Sequence, residues 1–181
     1  TSVTIADSVT TIGDRAFRDC TSLTSVTIPD SVTNIEDSAF SYCYALQNIE
    51  LPSNVTSIGA YAFYYCSNLM NITLPQNLET IGDSAFYGCS SLTNISIPAS
   101  VTTIGNHAFM DCTSLIFSIA ANNEYYSNSD DGSMLLNKDK TILITYPSAS
   151  GDVVISENIT TIGDFAFNTC YNLTSIELPD S

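Results

Sequence analysis

Apolar and polar residues alternate in short bursts along this chain, as in Val26-Thr27-Ile28, Ile49-Glu50-Leu51 and Ile95-Ser96-Ile97. A period of two over a few residues is the signature of a half-buried strand. Prolines follow several bursts, at Pro29, Pro52, Pro75, Pro98 and Pro179, and mark turns. Beyond the turn, Val32-Thr33-Asn34-Ile35 and its equivalents keep two apolar residues three apart, which predicts a second short extended segment. Ala16, Phe17, Cys20 and Leu23 then step by three and four, the spacing of a short helix with one inward face. Asp14, Asp37, Asp83, Asn106 and Asp164 stand just before that stretch. They are expected to cap the free N–H groups of the helix, where a negative charge also suits the helix dipole.

The same order of elements recurs. Phe17, Phe40, Phe63, Phe86 and Phe109 follow one another at 23 residues, and the Ala-Phe pair returns at Phe167. Cysteine comes three residues later each time (Cys20, Cys43, Cys66, Cys89, Cys112, Cys170), and leucine three after that, from Leu23 to Leu173. Ile12, Ile35, Ile58, Ile81, Ile104 and Ile162 lead each block. Columns in phase at this period define a solenoid, in which each repeat buries its apolar face only against its neighbours. The expected organisation is a single array over 1–181: rungs 1–23, 24–46, 47–69, 70–92 and 93–115, a long rung 116–173 and a partial rung 174–181. Equivalent strands should pair in parallel, about 4.8 Å apart. Helices pack about 8–10 Å apart, so the helical side should be wider and the strand face concave. The fold class expected is therefore an α/β repeat solenoid: a curved array with short parallel strands, short helices and one hairpin-bearing long rung. The ends carry no initiator Met, signal peptide or polar capping repeat, and the chain reads as a segment of a longer array.

Within the long rung, Met134–Asn137 and Thr141–Tyr146 are two β-prone runs joined by Lys138-Asp139-Lys140, which predicts a hairpin bulging from the solenoid. The register is expected to slip by one where this rung begins, with Ile116, Ile119 and Ala121 taking the places of Leu115, Ser118 and Ala120.

Composition narrows the function classes. Lys+Arg number 4 against 19 Asp+Glu, a net charge of −15, so a phosphate-tracking surface is excluded and an anionic membrane would repel the chain. The apolar run around Ile142–Ile144 is far too short to span a bilayer. Both lysines fall in the predicted hairpin, its least acidic region.

The run Ile81-Gly82-Asp83, Ala85-Phe86, Cys89, Leu92, Ile95, Ile97-Pro98 and Val101 resembles the BspA-like leucine-rich repeats of bacterial and protist surface proteins. The long rung, with Asn123, Tyr126, Asp131-Gly132, Leu135, Lys138-Asp139, Leu143 and Tyr146-Pro147, resembles the long repeat of the same family. The resemblance implies a leucine-rich-repeat solenoid, secreted or on the cell surface and associated with adhesion to host matrix, host cells or other microbes. It implies no catalytic residue, metal or cofactor.

Candidate chemistry is sparse. The six cysteines occupy one equivalent inward position; on a helical face their separation would exceed the ~4.4–6.8 Å Cα span of a disulfide, and they lack zinc-ligand clustering, so free buried thiols are expected. Sequons at Asn54, Asn71, Asn94, Asn158 and Asn172 match the roughly four that composition yields by chance. Ser127–Gly132 lacks the alternating acids of a calcium loop, and the twelfth place is Lys138; a turn is expected. His107, the one histidine, stands at a variable position without a fixed base or nucleophile partner, and no enzyme is expected. Two surfaces remain for binding a protein or cell-surface ligand. One is the tyrosine group Tyr42, Tyr44, Tyr61, Tyr64, Tyr65 and Tyr87, which offers contact area or simply packs rung on rung. The other is the outward strand line Thr4, Thr27, Glu50, Thr73, Ser96 and Glu177, which offers a binding face or merely keeps the sheet soluble. Against an adhesive module stand a rigid spacer, a cytosolic protein-interaction array, for which reduced cysteines are suited, and an ice-binding Thr line (Thr10, Thr33, Thr56, Thr102, Thr160) interrupted by Glu79.

Overall fold

The computed structural model describes residues 1–180; Ser181, the end of the expected partial rung, lies outside them. Of the seventeen short strands among the described residues, β1 to β17 in chain order, fifteen fall into two lines running along the solenoid. The first line is β1 (Ser2–Thr4), β3 (Ser25–Thr27), β5 (Asn48–Glu50), β7 (Asn71–Thr73), β9 (Asn94–Ile97), β11 (Ile116–Ile119), β15 (Gly151–Val154) and β17 (Leu173–Glu177). Pairing within it is parallel and in the predicted register, Thr4 beside Thr27 and Glu50 beside Thr73. The second line is β2 (Thr11–Ile12), β4 (Asn34–Ile35), β6 (Ser57–Ile58), β8 (Thr80–Ile81) and β10 (Thr103–Ile104), again parallel. It resumes with β14 (Ile142–Thr145) and β16 (Thr161–Ile162). The inward residues of β1 to β11 meet Phe40, Phe63, Phe86 and Phe109 in one core, and Leu143, Val153 and Ile159 belong to a second, smaller one beyond the hairpin.

The predicted helices do not form: the described residues contain no helix. Two positions of each turn, except the one after β14, adopt a left-handed backbone. Arg15 and its equivalents Ser38, Tyr61, Ser84, His107 and Phe165 have φ of 52° to 58°, and Asp19, Tyr42, Tyr65, Gly88, Asp111 and Thr169 have φ of 55° to 74°. A left-handed residue every fourth position turns alternate N–H groups out of the rung, so they donate to the next rung instead of four residues back. Arg15 N–H bonds Asp37 C=O at 2.9 Å, Phe17 N–H bonds Ala39 C=O at 2.8 Å and Asp19 N–H bonds Ser41 C=O at 2.9 Å. The strain of each non-glycine left-handed residue, about 1–2 kcal/mol, is offset by a ladder that satisfies the turn's donors. The three-and-four spacing was a sound sign of an inward face and a false sign of a helix.

Without helices the turn side is scarcely wider than the sheet side: the stacked rings Phe17, Phe40, Phe63, Phe86 and Phe109 lie 5.2 to 5.6 Å apart, nearly parallel. Curvature driven by helix width therefore loses its basis. The capping role of the acids also changes address. Asp37 Oδ1 accepts Ala60 N–H at 2.8 Å and Asp83 Oδ1 accepts Asn106 N–H at 2.7 Å, so each holds the turn of the following rung. The rungs approach so closely here that a Cβ on Gly105 would lie 2.4 Å from Asp83 N.

The thiols are free, though not for the spacing expected, since rungs about 5 Å apart would not keep them from pairing. The four buried ones are instead turned onto a carbonyl of the rung before: Cys43, Cys66, Cys89 and Cys112 Sγ donate to Phe17, Phe40, Phe63 and Phe86 C=O at 3.1–3.2 Å. Burial pushes the Cys43 thiol up to about 12 and raises Cys66, Cys89 and Cys112 well above the usual thiol range.

The stretch 116–173 holds two first-line strands, β11 and β15. β11 pairs Phe117 with Ile95 and Ile119 with Ile97, one residue short of the period, whereas the sequence pointed to one residue extra. Leu115 therefore keeps its buried place and Ile116 is 47% exposed. The hairpin forms as expected: β12 (Tyr126–Asn128), β13 (Leu135–Asn137) and β14 are antiparallel neighbours. Its departure from the solenoid is set by Asn123, fully buried where earlier rungs carry Val32, Val55, Leu78 and Val101. Its amide donates to Pro98 and Val101 C=O at 2.9 and 3.0 Å and accepts from Tyr125 and Tyr126 N–H. β14 re-enters the second line with Leu143 in the place of the isoleucine and Tyr146 in the place of the phenylalanine: Tyr146 N–H bonds Ala166 C=O, and Cys170 Sγ donates to Tyr146 C=O at 3.2 Å.

Candidate functional surfaces

The sequence-predicted strand line is brought together as one exposed row. Thr4, Thr27, Glu50, Thr73, Ser96 and Glu177 all face solvent. The one-residue slip adds Ser118, beside Ser96, and the register of β15 adds Val154, beside Glu177 and 66% exposed. Ser118 lies 22 residues after Ser96, off the 23-residue grid, whereas Val154 keeps the 23-residue spacing to Glu177 but falls inside the long rung. A parallel outward row carries Ser2, Ser25, Asn48, Asn71 and Asn94, where Asn71 Nδ2 donates to Asn48 Oδ1 at 3.0 Å. Further along, Asp152 accepts the hydroxyls of Ser175 and Thr174, which hold its carboxyl below the usual range. Thr27, Glu50 and Thr73 line an open groove of about 650 Å³ together with residues of the turns at Asp30, Pro52–Ser53 and Pro75–Gln76.

The six tyrosines form one contiguous cluster on the turns. Tyr64 is its centre, 4.9 Å from Tyr65, 5.0 Å from Tyr87, and 5.4 Å from both Tyr42 and Tyr61. Tyr42 stacks on Tyr65 and meets Tyr44 at 6.0 Å. Burial raises Tyr64, Tyr65 and Tyr87 above the usual phenol range, and the neighbouring phenols add to it. Only Tyr44 and Tyr61, at 42% and 45%, are exposed; the others pack rung on rung. The Arg18 guanidinium lies 5.6 Å over the Tyr42 ring. Gly88 makes the cluster possible, because a Cβ there would sit 2.8 Å from the Tyr65 ring.

The remaining candidates are accounted for locally. Asp131 accepts from Ser129 and Ser133 hydroxyls and from Ser133 N–H, so the Ser127–Gly132 stretch is a turn organised by its own acid. The Thr10 line is exposed, but Thr33, Thr102 and Thr160 turn their hydroxyls onto carbonyls of the preceding rung. His107 is not an ordinary position: its Nε2 is buried without a partner and its ring meets Phe165 edge-on at 4.4 Å. Among the described residues no group of three or more His, Cys, Asp or Glu side chains converges on a metal-sized site, and no helix is long and apolar enough to cross a membrane.

Two parallel strand lines, a turn ladder and a phenylalanine stack repeated at 23 residues define a leucine-rich-repeat solenoid, a fold of binding scaffolds. Residues 1–116 and 147–181 match the BspA type leucine rich repeat region in six copies, and the chain belongs to that family. Among solved structures it is similar to the pneumococcal vaccine antigen PcpA, at 30% identity and a TM-score of 0.87 over 98% of this chain and 45% of that one. It is similar also to a leucine rich cell surface protein from Faecalibacterium prausnitzii, at 33% identity and a TM-score of 0.81 over 98% of this chain and 54% of that one. A leucine rich repeat protein of T. pallidum follows at 27% identity and a TM-score of 0.65, over 96% of this chain and 78% of that one. The chain thus spans about half the length of the first two. No curated protein matches it.

Proposed function

We propose that this solenoid is a non-enzymatic, extracellular protein-interaction module that adheres to a protein or cell-surface ligand through its first strand line. The observation that carries this reading is the groove at Thr27, Glu50 and Thr73, which breaks an otherwise flat hydroxyl and amide row. Two similar proteins are described as a vaccine antigen and a cell surface protein, which supports an extracellular place. The acidic balance and Glu50 favour a partner with a basic patch, recognised in part by electrostatic steering.

The test is binding to immobilised matrix proteins and host cells by the native chain and by two variants. Glu50→Lys with Thr73→Arg blocks the groove; Tyr44→Ala with Tyr61→Ala trims the tyrosine cluster. Loss with the first pair and retention with the second supports the reading. Loss only with the second moves adhesion to the turns, and no binding by the native chain leaves the spacer reading in its place.

A further inference from the structure

The second strand line is interrupted at one place, between the fifth rung and the rungs that follow. β10 pairs with β8 behind it, while β14 pairs only with β13 and β16. The cause is a shortened turn. Four residues lie between Ile35 and Phe40, but two between Leu143 and Tyr146, although Leu143 and Tyr146 make the bonds of those two positions. The two missing residues are those that elsewhere carry the first left-handed position, so His107 has no counterpart in the next rung and faces Phe165 of the rung beyond.

The edge of the fifth rung is left with donors that every earlier rung satisfies. Ser84, Phe86 and Gly88 N–H bond carbonyls of Asn106, Ala108 and Met110. Among the described residues, the corresponding N–H groups of His107 and Phe109 have no protein acceptor, and Asp164 C=O across the gap has no protein donor. The hairpin seals only the near end, where Tyr126 Oη accepts Ile104 N–H at 2.9 Å. A cavity of about 270 Å³ lies here, lined by His107, Phe109, Ile142, Ile144, Asp164 and Phe165 among others, and the unpartnered His107 Nε2 is buried on its wall.

The geometry points to a small-molecule site in this gap, for a ligand about one amino-acid residue in size that joins an amide to an apolar group. The amide carbonyl accepts from the edge N–H groups or from His107 Nε2, the amide N–H donates to Asp164, and the apolar group lies between Ile142, Ile144 and Phe109. The volume is near the lower limit of ligand pockets, ~300–1,000 Å³, which excludes larger occupants. Water alone would satisfy the donors but leave the apolar wall exposed; a hydrocarbon would cover the wall but strand the donors. A molecule offering both groups meets both demands. This site is independent of the strand-face reading.

The test is a two-dimensional NMR titration of the whole chain with N-acetyl-leucinamide, N-methylacetamide and isopentane. N-acetyl-leucinamide should give saturable shifts centred on His107, Phe109 and Thr145, and bind at least tenfold more tightly than either fragment. Ile142→Trp, which fills the cavity from its exposed mouth, should weaken binding at least tenfold. His107→Phe should weaken it about threefold to tenfold, the worth of one hydrogen bond. Absence of saturable shifts with the amides marks a hydrated gap and overturns the proposal. So does isopentane binding as tightly as the amide, or unchanged affinity in Ile142→Trp. Should either variant fail to fold, the ranking of the three probes on the native chain decides.

Discussion

Phe63 lies fully buried between Phe40 and Phe86 at 5.4 Å on each side, and nothing can slide in to replace it. Phe63→Ala should cost about 3–5 kcal/mol, read as a lowered denaturant midpoint. The thiols give a second residue-scale expectation. Burial disfavours the thiolate, so Cys43, Cys66, Cys89 and Cys112 should resist a thiol reagent at pH 8 while the half-buried Cys20 and Cys170 react first; in denaturant all six should titrate. Asp131 supplies a pH dependence. The Ser129 hydroxyl, then Ser133 N–H, depress its folded pKa, so its stabilising effect is full above the unfolded value near 3.9 and fades as pH falls through the depressed one. Asp131→Asn should flatten the acid limb of the hairpin's unfolding curve, followed by exchange of the Met134 and Leu135 amides.

Among elements, the hairpin is the irregular one, and it hangs on Asn123. Replacing it with the column's usual residue, Asn123→Val, keeps the volume but leaves Tyr125 and Tyr126 N–H without their acceptor. The expected cost is about 1–3 kcal/mol for half-buried donors left unsatisfied, with faster amide exchange at Tyr125 and Tyr126 and little change in rungs one to four. Strands were legible from period-two alternation, because a strand shows its two faces in its own residues. The helix was misjudged because an inward face at Ala16, Phe17, Cys20 and Leu23 has the same spacing whether hydrogen bonds run within the rung or between rungs. Only the neighbour's carbonyls decide that. The gap beside His107 had one trace in the sequence: no Ile-Gly-Asp block occurs between Ile104 and Ile162.

Over the whole molecule, a net charge of −15 is met by few cations, and among the described residues the ion pairs of Arg15 with Asp14, Arg18 with Asp19 and Lys140 with Asp130 are exposed. Self-repulsion should therefore dominate, and raising NaCl from about 20 mM to about 0.5 M, which shortens the screening length severalfold, should raise the unfolding temperature. Except where His107 meets Phe165 across the gap, rungs touch only their neighbours, so the cost of a lesion such as Phe63→Ala should fall first on adjacent rungs, with exchange accelerating there before the array unfolds.

The sequence by itself determined the period, the parallel order of the strands, the identity of the buried columns and the outward row, because each is a property of a residue and its equivalents one rung away. The tertiary structure decided what those equivalents do to each other: left-handed turns bonded across rungs, thiols donating to phenylalanine carbonyls, tyrosines gathered around Gly88, and an open edge where one turn is two residues short. These depend on where neighbouring backbones present their donors and acceptors, and a spacing of side chains carries no record of that.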